Sequence, residues 1–172
     1  MRDFSQEKGE SSMVEFDDLM DFCRENDIPT TVLISPFHAS VMNTVNMAGR
    51  WENYLSWQYR VTDSVNKVQG DFRVVGLEGN SGVVMEPIVT ESPFFLDGVH
   101  YNSAAGKKVM ICLSGGQCAG EIEIFPLDTE TIAPYLEYVD ELMRRYPEER
   151  PDDYRSLLKW LHRNAAATAK AS

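Results

Sequence analysis

Asp97 and His100 are the residues of this sequence whose types and spacing point most directly to chemistry. An imidazole acts as a base in acyl transfer when a carboxylate holds it in one tautomer. An Asp-x-x-His loop lets the aspartate fold back onto Nδ1 while Nε2 faces a pocket. The spacing therefore predicts an acid–base pair. The alternative is that Asp97 makes a turn and His100 lies near a helix N-terminus that Asn102 or Ser103 caps.

A candidate pocket around this pair is formed by Ser35, His38, Asn80 and Tyr101. Ser35 follows a predicted strand, where active sites of α/β proteins gather, although a helix N-cap role explains it more simply. His38 lies in the first turn of the next predicted helix, where it either faces the same cleft as His100 or packs and hydrogen-bonds. A metal site is conceivable from His38, His100, Asp97 and Glu86, and a small metal-dependent hydrolase is a third alternative. These residues lack the spacing of a metal site, so we predict no metal and no cofactor.

Hydrophobic periodicity predicts that helices and strands alternate along the chain, as in the α/β class. Continuous β-branched and apolar residues at 30–34 indicate a strand buried on both faces of a parallel sheet, and Ser35 with Pro36 is predicted to start the next helix. Thr131 is the predicted cap of a later helix, since Pro134 then falls in its first turn. The predicted helices lie at about 14–26, 36–48, 51–68, 102–112, 131–143 and 154–161. The predicted strands lie at 30–34 and 72–77, and 120–125 is predicted to be a half-exposed strand or an extended segment.

The two ends of the chain differ in composition from its middle. Residues 1–12 combine serine, glycine and charge, which predicts a disordered leader. A single α/β domain is predicted over 13–165, followed by a frayed, Ala-rich tail at 166–172. The leader lacks the apolar core of a secretory signal, and no stretch approaches the roughly 20 apolar residues of a membrane span. These features predict a cytoplasmic location for the chain as written, with the periplasm as the alternative for a fragment of an exported protein.

The formal net charge of −11 at pH 7 limits the classes of partner. A strongly acidic protein repels phosphate backbones and anionic lipids, so nucleic acid and membrane surfaces are excluded as expected partners. The charge favours a substrate that is neutral or cationic.

The three cysteines have no repeated metal-binding spacing, and their odd number argues against a disulfide framework. Reduced thiols are therefore the expectation. The alternative is a disulfide between Cys112 and Cys118, which would close the Leu-Ser-Gly-Gly-Gln turn between them in an oxidising compartment.

A resemblance to a known family adds to this interpretation. The run Asp-Gly-Val-His-Tyr-Asn-Ser-Ala-Ala-Gly-Lys at 97–107 resembles the last block of SGNH/GDSL hydrolases, in which a D-x-x-H run supplies the acid and base of the catalytic triad. Other segments resemble parts of bacterial SGNH-like proteins in the same order, so that the similarity covers roughly residues 14–145. These segments are Ile-Ser-Pro-Phe-His-Ala at 34–39, Ala-Gly-Arg-Trp at 48–51, Val-Gly-Leu-Glu-Gly-Asn-Ser at 75–81, Met-Glu-Pro at 85–87 and Ile-Phe-Pro-Leu at 124–127.

The chain also departs from the family pattern. It lacks the Gly-Asp-Ser block that carries the family's nucleophilic serine, and it lacks the later glycine and asparagine blocks that complete the oxyanion hole. Without an activated serine, an Asp–His pair alone does not perform acyl transfer by the family mechanism.

The resemblance implies a fold and two rival functions. The implied fold is α/β, a partial three-layer flavodoxin-like sandwich with a short parallel sheet and flanking helices. The first function is an esterase or O-acyltransferase component that acts on an ester or acyl-carbohydrate, with Asp97, His100 and a nucleophile not evident in this chain. The second is a catalytically inactive scaffold that serves as an interaction or regulatory module. An incomplete sheet leaves unpaired edges, so we expect a homo-oligomer or a partner protein to cover it.

Overall fold

The structure, a computed structural model, describes residues 12–89, 91–118 and 122–171. Helices and strands alternate through these ranges, as the periodicity predicts. The helices are α1 (Ser12–Glu25), α2 (Ala39–Met47), α3 (Trp51–Lys67), α4 (Ser81–Val84), α5 (Ser103–Leu113), α6 (Ile132–Glu149) and α7 (Pro151–Ala171), and the strands are β1 (Thr30–Ile34), β2 (Phe72–Gly76) and β3 (Phe125–Leu127).

The three strands form a mixed sheet in the order β1-β2-β3. β1 pairs with β2 in parallel, from Thr30 opposite Phe72 to Ile34 opposite Gly76. β3 pairs with β2 in the antiparallel direction. The prediction of a parallel sheet is therefore correct for the first two strands and wrong for the third.

Of the range 120–125, predicted to be a strand or an extended segment, residues 120 and 121 lie outside the described residues, and the third strand begins only at the last residue of the range. The Asn80 side chain pairs with the backbone of Glu123, accepting from its N–H at 2.6 Å and donating to its carbonyl at 2.8 Å. That segment is therefore held by a side chain, and the strand ladder begins only at Phe125. Pro126 is tolerated because β3 is an edge strand.

Apolar side chains pack on both faces of the sheet. On one face, Val32 and Val74 join a large core built with α2, α3 and α6. On the other face, Leu33 and Leu77 join a smaller core built with α5. Successive side chains therefore point to opposite faces of the sheet, and both faces are covered by apolar side chains. The molecule is mixed α/β, with helices against both faces of a small sheet.

Helix α2 begins at a different residue from the one predicted. Its N-cap is His38, whose Nδ1 accepts a hydrogen bond from the backbone N–H of Ser40 at 3.1 Å. The prediction that Ser35 caps this helix and that Pro36 is its first residue is wrong. The cause is a distant contact: the His38 N–H donates to the carbonyl of Gly98 at 2.8 Å, which fixes the end of the extended segment.

Three helices begin or end much as predicted. α1 ends where Asp27 takes a positive φ of 51° and Ile28 donates back to the carbonyl of Cys23. α5 begins after Asn102, whose Oδ1 caps the amide of Ala105 at 2.9 Å. α3 matches its predicted bounds to within one residue.

The start of α6 is stabilised by a different side chain from the one predicted. Thr131 occupies the N-cap position but makes no capping hydrogen bond with its side chain. Asp128 Oδ1 instead accepts from the amides of Glu130 and Thr131 at 2.9 and 2.8 Å. These bonds lower the pKa of the Asp128 carboxyl.

The structure joins Cys112 to Cys118 as a disulfide, with a Cα–Cα distance of 4.8 Å, while Cys23 is free and buried. The expectation that all thiols are reduced is therefore replaced by its alternative. The predicted leader lies outside the described residues except for Ser12, and α7 continues through the predicted tail to Ala171. Among the described helices, none combines the length and hydrophobicity needed to span a bilayer.

Candidate functional site

The loop that carries Asp97 and His100 is anchored by a buried carboxylate. Glu86 accepts hydrogen bonds from the amides of Phe94 and Phe95 at 3.1 and 3.0 Å and from the hydroxyl of Ser92. The loop then folds back on itself. Phe95 and Tyr101 form an isolated antiparallel β-bridge. The Leu96 N–H donates to the His100 carbonyl at 2.7 Å, and the Asn102 N–H donates to the Phe94 carbonyl at 2.6 Å. The predicted pair thus lies at the tip of a tight, hydrogen-bonded loop.

Asp97 contacts the Nδ1 atom of His100, as the spacing predicts, but the ring is exposed and does not face the predicted pocket. The features of the alternative, a turn at Asp97 and a helix cap at Asn102, are present as well. His100 Nδ1 lies 2.8 Å from Asp97 Oδ2, while Asp97 Oδ1 accepts from the amides of Val99 and His100 at 3.1 and 2.9 Å. These three hydrogen bonds, with that from the His100 ring the largest in effect, lower the pKa of the Asp97 carboxyl to about 2. An ionised Asp97 accepts the Nδ1–H of His100, which leaves the lone pair on Nε2.

This pair is open to solvent. The side chains of His100 and Asp97 are 73% and 55% exposed. Within the described residues, no side chain forms a hydrogen bond to His100 Nε2. The base is therefore oriented, and its reactive nitrogen is accessible from outside the molecule.

Gly98 connects this loop to α2. Its carbonyl accepts from the His38 amide at 2.8 Å, and its positive φ of 86° favours glycine. A Cβ at this position would meet Val41 Cγ2 at 3.0 Å. The close approach explains why glycine stands between the aspartate and the histidine, and it brings His38 beside the loop.

His38 is buried and hydrogen-bonded through both ring nitrogens. Nε2 lies 2.8 Å from the Glu86 carbonyl, which accepts only from a protonated nitrogen. Nδ1 is then unprotonated and accepts from Ser40, from its amide at 3.1 Å and from its hydroxyl at 2.8 Å. Burial lowers the pKa of the His38 imidazole. Of the two roles weighed for His38, the structure shows packing and hydrogen bonding.

The other predicted pocket residues lie apart from the Asp–His pair. Asn80 is buried, and its side chain is used in hydrogen bonds to the backbone of Leu77 and Glu123. Asn80 and the half-buried Tyr101 line one small apolar cavity of about 10 Å³, space for about one water. Ser35 is half-buried in the extended segment after β1. None of these three forms a hydrogen bond to Asp97 or His100 among the described contacts.

Two polar groups that sequence reasoning overlooked stand out. Ser40 is one, and the only signal for it is the His-x-Ser spacing at a helix start. Glu78 is the other: it is fully buried and accepts from the hydroxyl of Tyr54 and from Gln58 Nε2 at 2.6 Å. A charged residue two positions after a buried strand is its signal. Burial raises the pKa of Glu78 to about 7.

The described residues contain no cluster of three or more His, Cys, Asp or Glu side chains arranged to hold a metal ion. The arrangement can perform acid–base chemistry, because it contains the exposed imidazole of His100 and the buried imidazole of His38. No family model, curated protein or solved structure matches this chain.

Proposed function

We propose that this chain supplies the acid–base half of an SGNH-type ester hydrolase or O-acyltransferase site, with His100 as general base and Asp97 as the group that orients it. The observation that carries the proposal is the 2.8 Å contact between His100 Nδ1 and Asp97 Oδ2, which directs the lone pair of Nε2 outward. The family resemblance of residues 97–107 supports it. On this proposal, the small sheet with helices on both faces belongs to a partial flavodoxin-like sandwich.

The chemistry follows from the orientation of the ring. Nε2 of His100 removes the proton of a hydroxyl group as its oxygen attacks an ester carbonyl, and the imidazolium returns a proton to the departing alkoxide. Ionised Asp97 stabilises the imidazolium. Because no described side chain hydrogen-bonds to Nε2, the hydroxyl comes from water, from an acceptor alcohol or from a serine of another polypeptide. The acidic surface favours a neutral or cationic ester or acyl-carbohydrate.

The test is hydrolysis of p-nitrophenyl acetate by the purified protein. His100→Gln removes the base and is expected to lower the steady rate about 10²-fold, the scale of general-base catalysis. Asp97→Ala is expected to lower it by a smaller factor, because the imidazole remains but loses its orientation. The matched control is His162→Gln, which removes another exposed histidine, on α7.

An unchanged rate in His100→Gln would contradict the proposal. Equal losses of the hydrolysis rate in His100→Gln and His162→Gln would contradict it as well. Any exposed histidine would then account for the rate, with or without a neighbouring carboxylate.

The free edge of β1 favours a second candidate function, that of an interaction module. β1 has a single neighbour in the described sheet. The Thr30 amide and the Ile34 carbonyl form hydrogen bonds on the side of β1 that faces β2. Because successive residues of a strand alternate, the backbone groups of Thr31 and Leu33 point away from β2. Within the described residues these groups have no backbone partner. Such an edge pairs readily with another strand, from a second copy or from a partner protein.

A further inference from the structure

Ser40 and His38 form a hydrogen-bonded pair that is separate from the Asp97–His100 pair. Ser40 Oγ lies 2.8 Å from His38 Nδ1. The opposite ring nitrogen, Nε2, lies 2.8 Å from the carbonyl of Glu86. Because a carbonyl only accepts, this contact fixes the tautomer in which Nδ1 carries the lone pair and faces the serine hydroxyl.

We propose that Ser40 is a nucleophilic serine that takes an acyl or phosphonyl group, with His38 Nδ1 as its general base. The arrangement has the three parts of an activated nucleophile: a hydroxyl, an imidazole within hydrogen-bond reach, and a third group that orients the imidazole. Here the third group is the Glu86 carbonyl. This proposal does not depend on the role assigned to His100.

The environment keeps His38 available as a base. The ring is buried between two aromatic side chains, edge-on to Phe95 at 5.7 Å and to Tyr146 at 5.6 Å between ring centroids. Burial lowers the pKa of its imidazole, so the ring is neutral at neutral pH. Ser40 itself is only half-buried, on the first turn of α2, whereas His38 is buried.

Tyr146 adds a donor beside the serine. Its hydroxyl is fully buried, and none of the described residues gives it a hydrogen bond of good geometry. Burial raises the pKa of the Tyr146 hydroxyl, and the neighbouring Ser40 partly offsets this. A neutral O–H beside Ser40 is a donor that can hold the serine oxygen in position.

The reaction balances without any cofactor. Ser40 Oγ forms a bond to the acyl carbon as its proton passes to His38 Nδ1. The bond between that carbon and the alcohol oxygen breaks, and the departing alkoxide takes the proton from Nδ1. Water then attacks the acyl-serine in the same way, releases the carboxylic acid and restores the hydroxyl. With a fluorophosphonate the bond forms to phosphorus, fluoride leaves with the bonding electrons, and the adduct remains.

The experiment is reaction of the intact protein with an alkyl fluorophosphonate, followed by mass mapping of the modified residue. We expect one adduct on Ser40 and no adduct in Ser40→Ala. The Ser40→Ala variant keeps the backbone N–H that donates to His38, so the helix cap is retained. Ser64→Ala is the matched control, because Ser64 is another half-buried serine with a hydrogen-bonded hydroxyl, and it should label like the wild type.

Two more variants separate catalysis from helix capping. Asn is a favoured N-cap residue without a basic nitrogen, so His38→Asn should keep the helix cap while labelling of the folded protein slows about 10²-fold, and the lost packing of the buried ring should lower the melting temperature. Tyr146→Phe removes a hydroxyl that has no well-aligned partner among the described residues, so labelling should slow while the melting temperature stays or rises.

No adduct on Ser40, or an undiminished labelling rate in His38→Asn, would overturn the proposal. These results are read from an adduct on Ser40, whereas the role of His100 is read from the turnover rate of His100→Gln in a Ser40→Ala background, where Ser40 cannot contribute to ester hydrolysis. Failure of one proposal is therefore distinguishable from failure of the other.

Discussion

Two carboxyl groups show how environment sets the chemistry of a single residue. Asp97 lies at the surface with three hydrogen-bond donors, which hold the pKa of its carboxyl at about 2. Glu78 lies in the core, where burial raises the pKa of its carboxyl to about 7 even though Tyr54 and Gln58 bond to it. Asp97 is therefore a fixed anion beside His100, and Glu78 changes charge near neutral pH.

The titration of Glu78 predicts a dependence of stability on pH. Its folded pKa is raised above the ordinary value of 4.5, so between pH 4.5 and 7 the folded state binds more protons than the unfolded state. The free energy of unfolding should therefore fall as pH rises through this window, by about 3 kcal/mol in all. Urea unfolding at pH 5 and pH 8 measures the difference.

Glu78→Gln provides the control for this prediction. A glutamine cannot titrate, and its amide can donate to Gln58 Oε1, which has no hydrogen-bond partner among the described residues. The variant should lose the extra pH dependence and be the more stable protein at pH 8. If wild type and variant lose equal stability between the two pH values, Glu78 does not have the raised pKa.

A helix or strand can be predicted from the sequence where the residues that determine its ends lie close together along the chain. α1, α3 and α5 were predicted because their apolar periodicity and caps are local. The start of α2 and the position of β3 were not, because each depends on a distant contact. His38 pairs with Gly98, 60 positions away, and Asn80 pairs with Glu123, 43 positions away. No local pattern marks either contact.

The edge of β1 makes a prediction at the same scale. If two copies of the chain pair through it, a two-fold axis places their β1 strands antiparallel and joins the two sheets. Thr31→Pro removes an outward N–H without removing a bond to β2, which an edge strand tolerates. Sedimentation velocity should show a wild-type dimer that Thr31→Pro dissociates. A wild-type monomer at all concentrations would exclude pairing between copies.

At the scale of the whole molecule, the parallel pair of strands gathers the polar groups at one edge of the sheet. β1 leads into His38 and Ser40, and β2 leads into Glu78, because the carboxyl ends of parallel strands lie together. The loop with Asp97 reaches the same place through Gly98. The sequence revealed the Asp97–His100 pair because its partners lie three residues apart. It did not reveal Ser40 or Glu78, whose settings depend on the assembled fold.

The most direct test of the account is the tautomer of each histidine ring, measured by long-range ¹H–¹⁵N correlation NMR at pH 8. We expect His100 to carry its proton on Nδ1, held by Asp97, and His38 to carry its proton on Nε2, held by the Glu86 carbonyl. Asp97→Ala should convert His100 to a mixture of tautomers and leave His38 unchanged. A wild-type His100 protonated on Nε2 would contradict the account, because its outward nitrogen would then have no lone pair to act as a base.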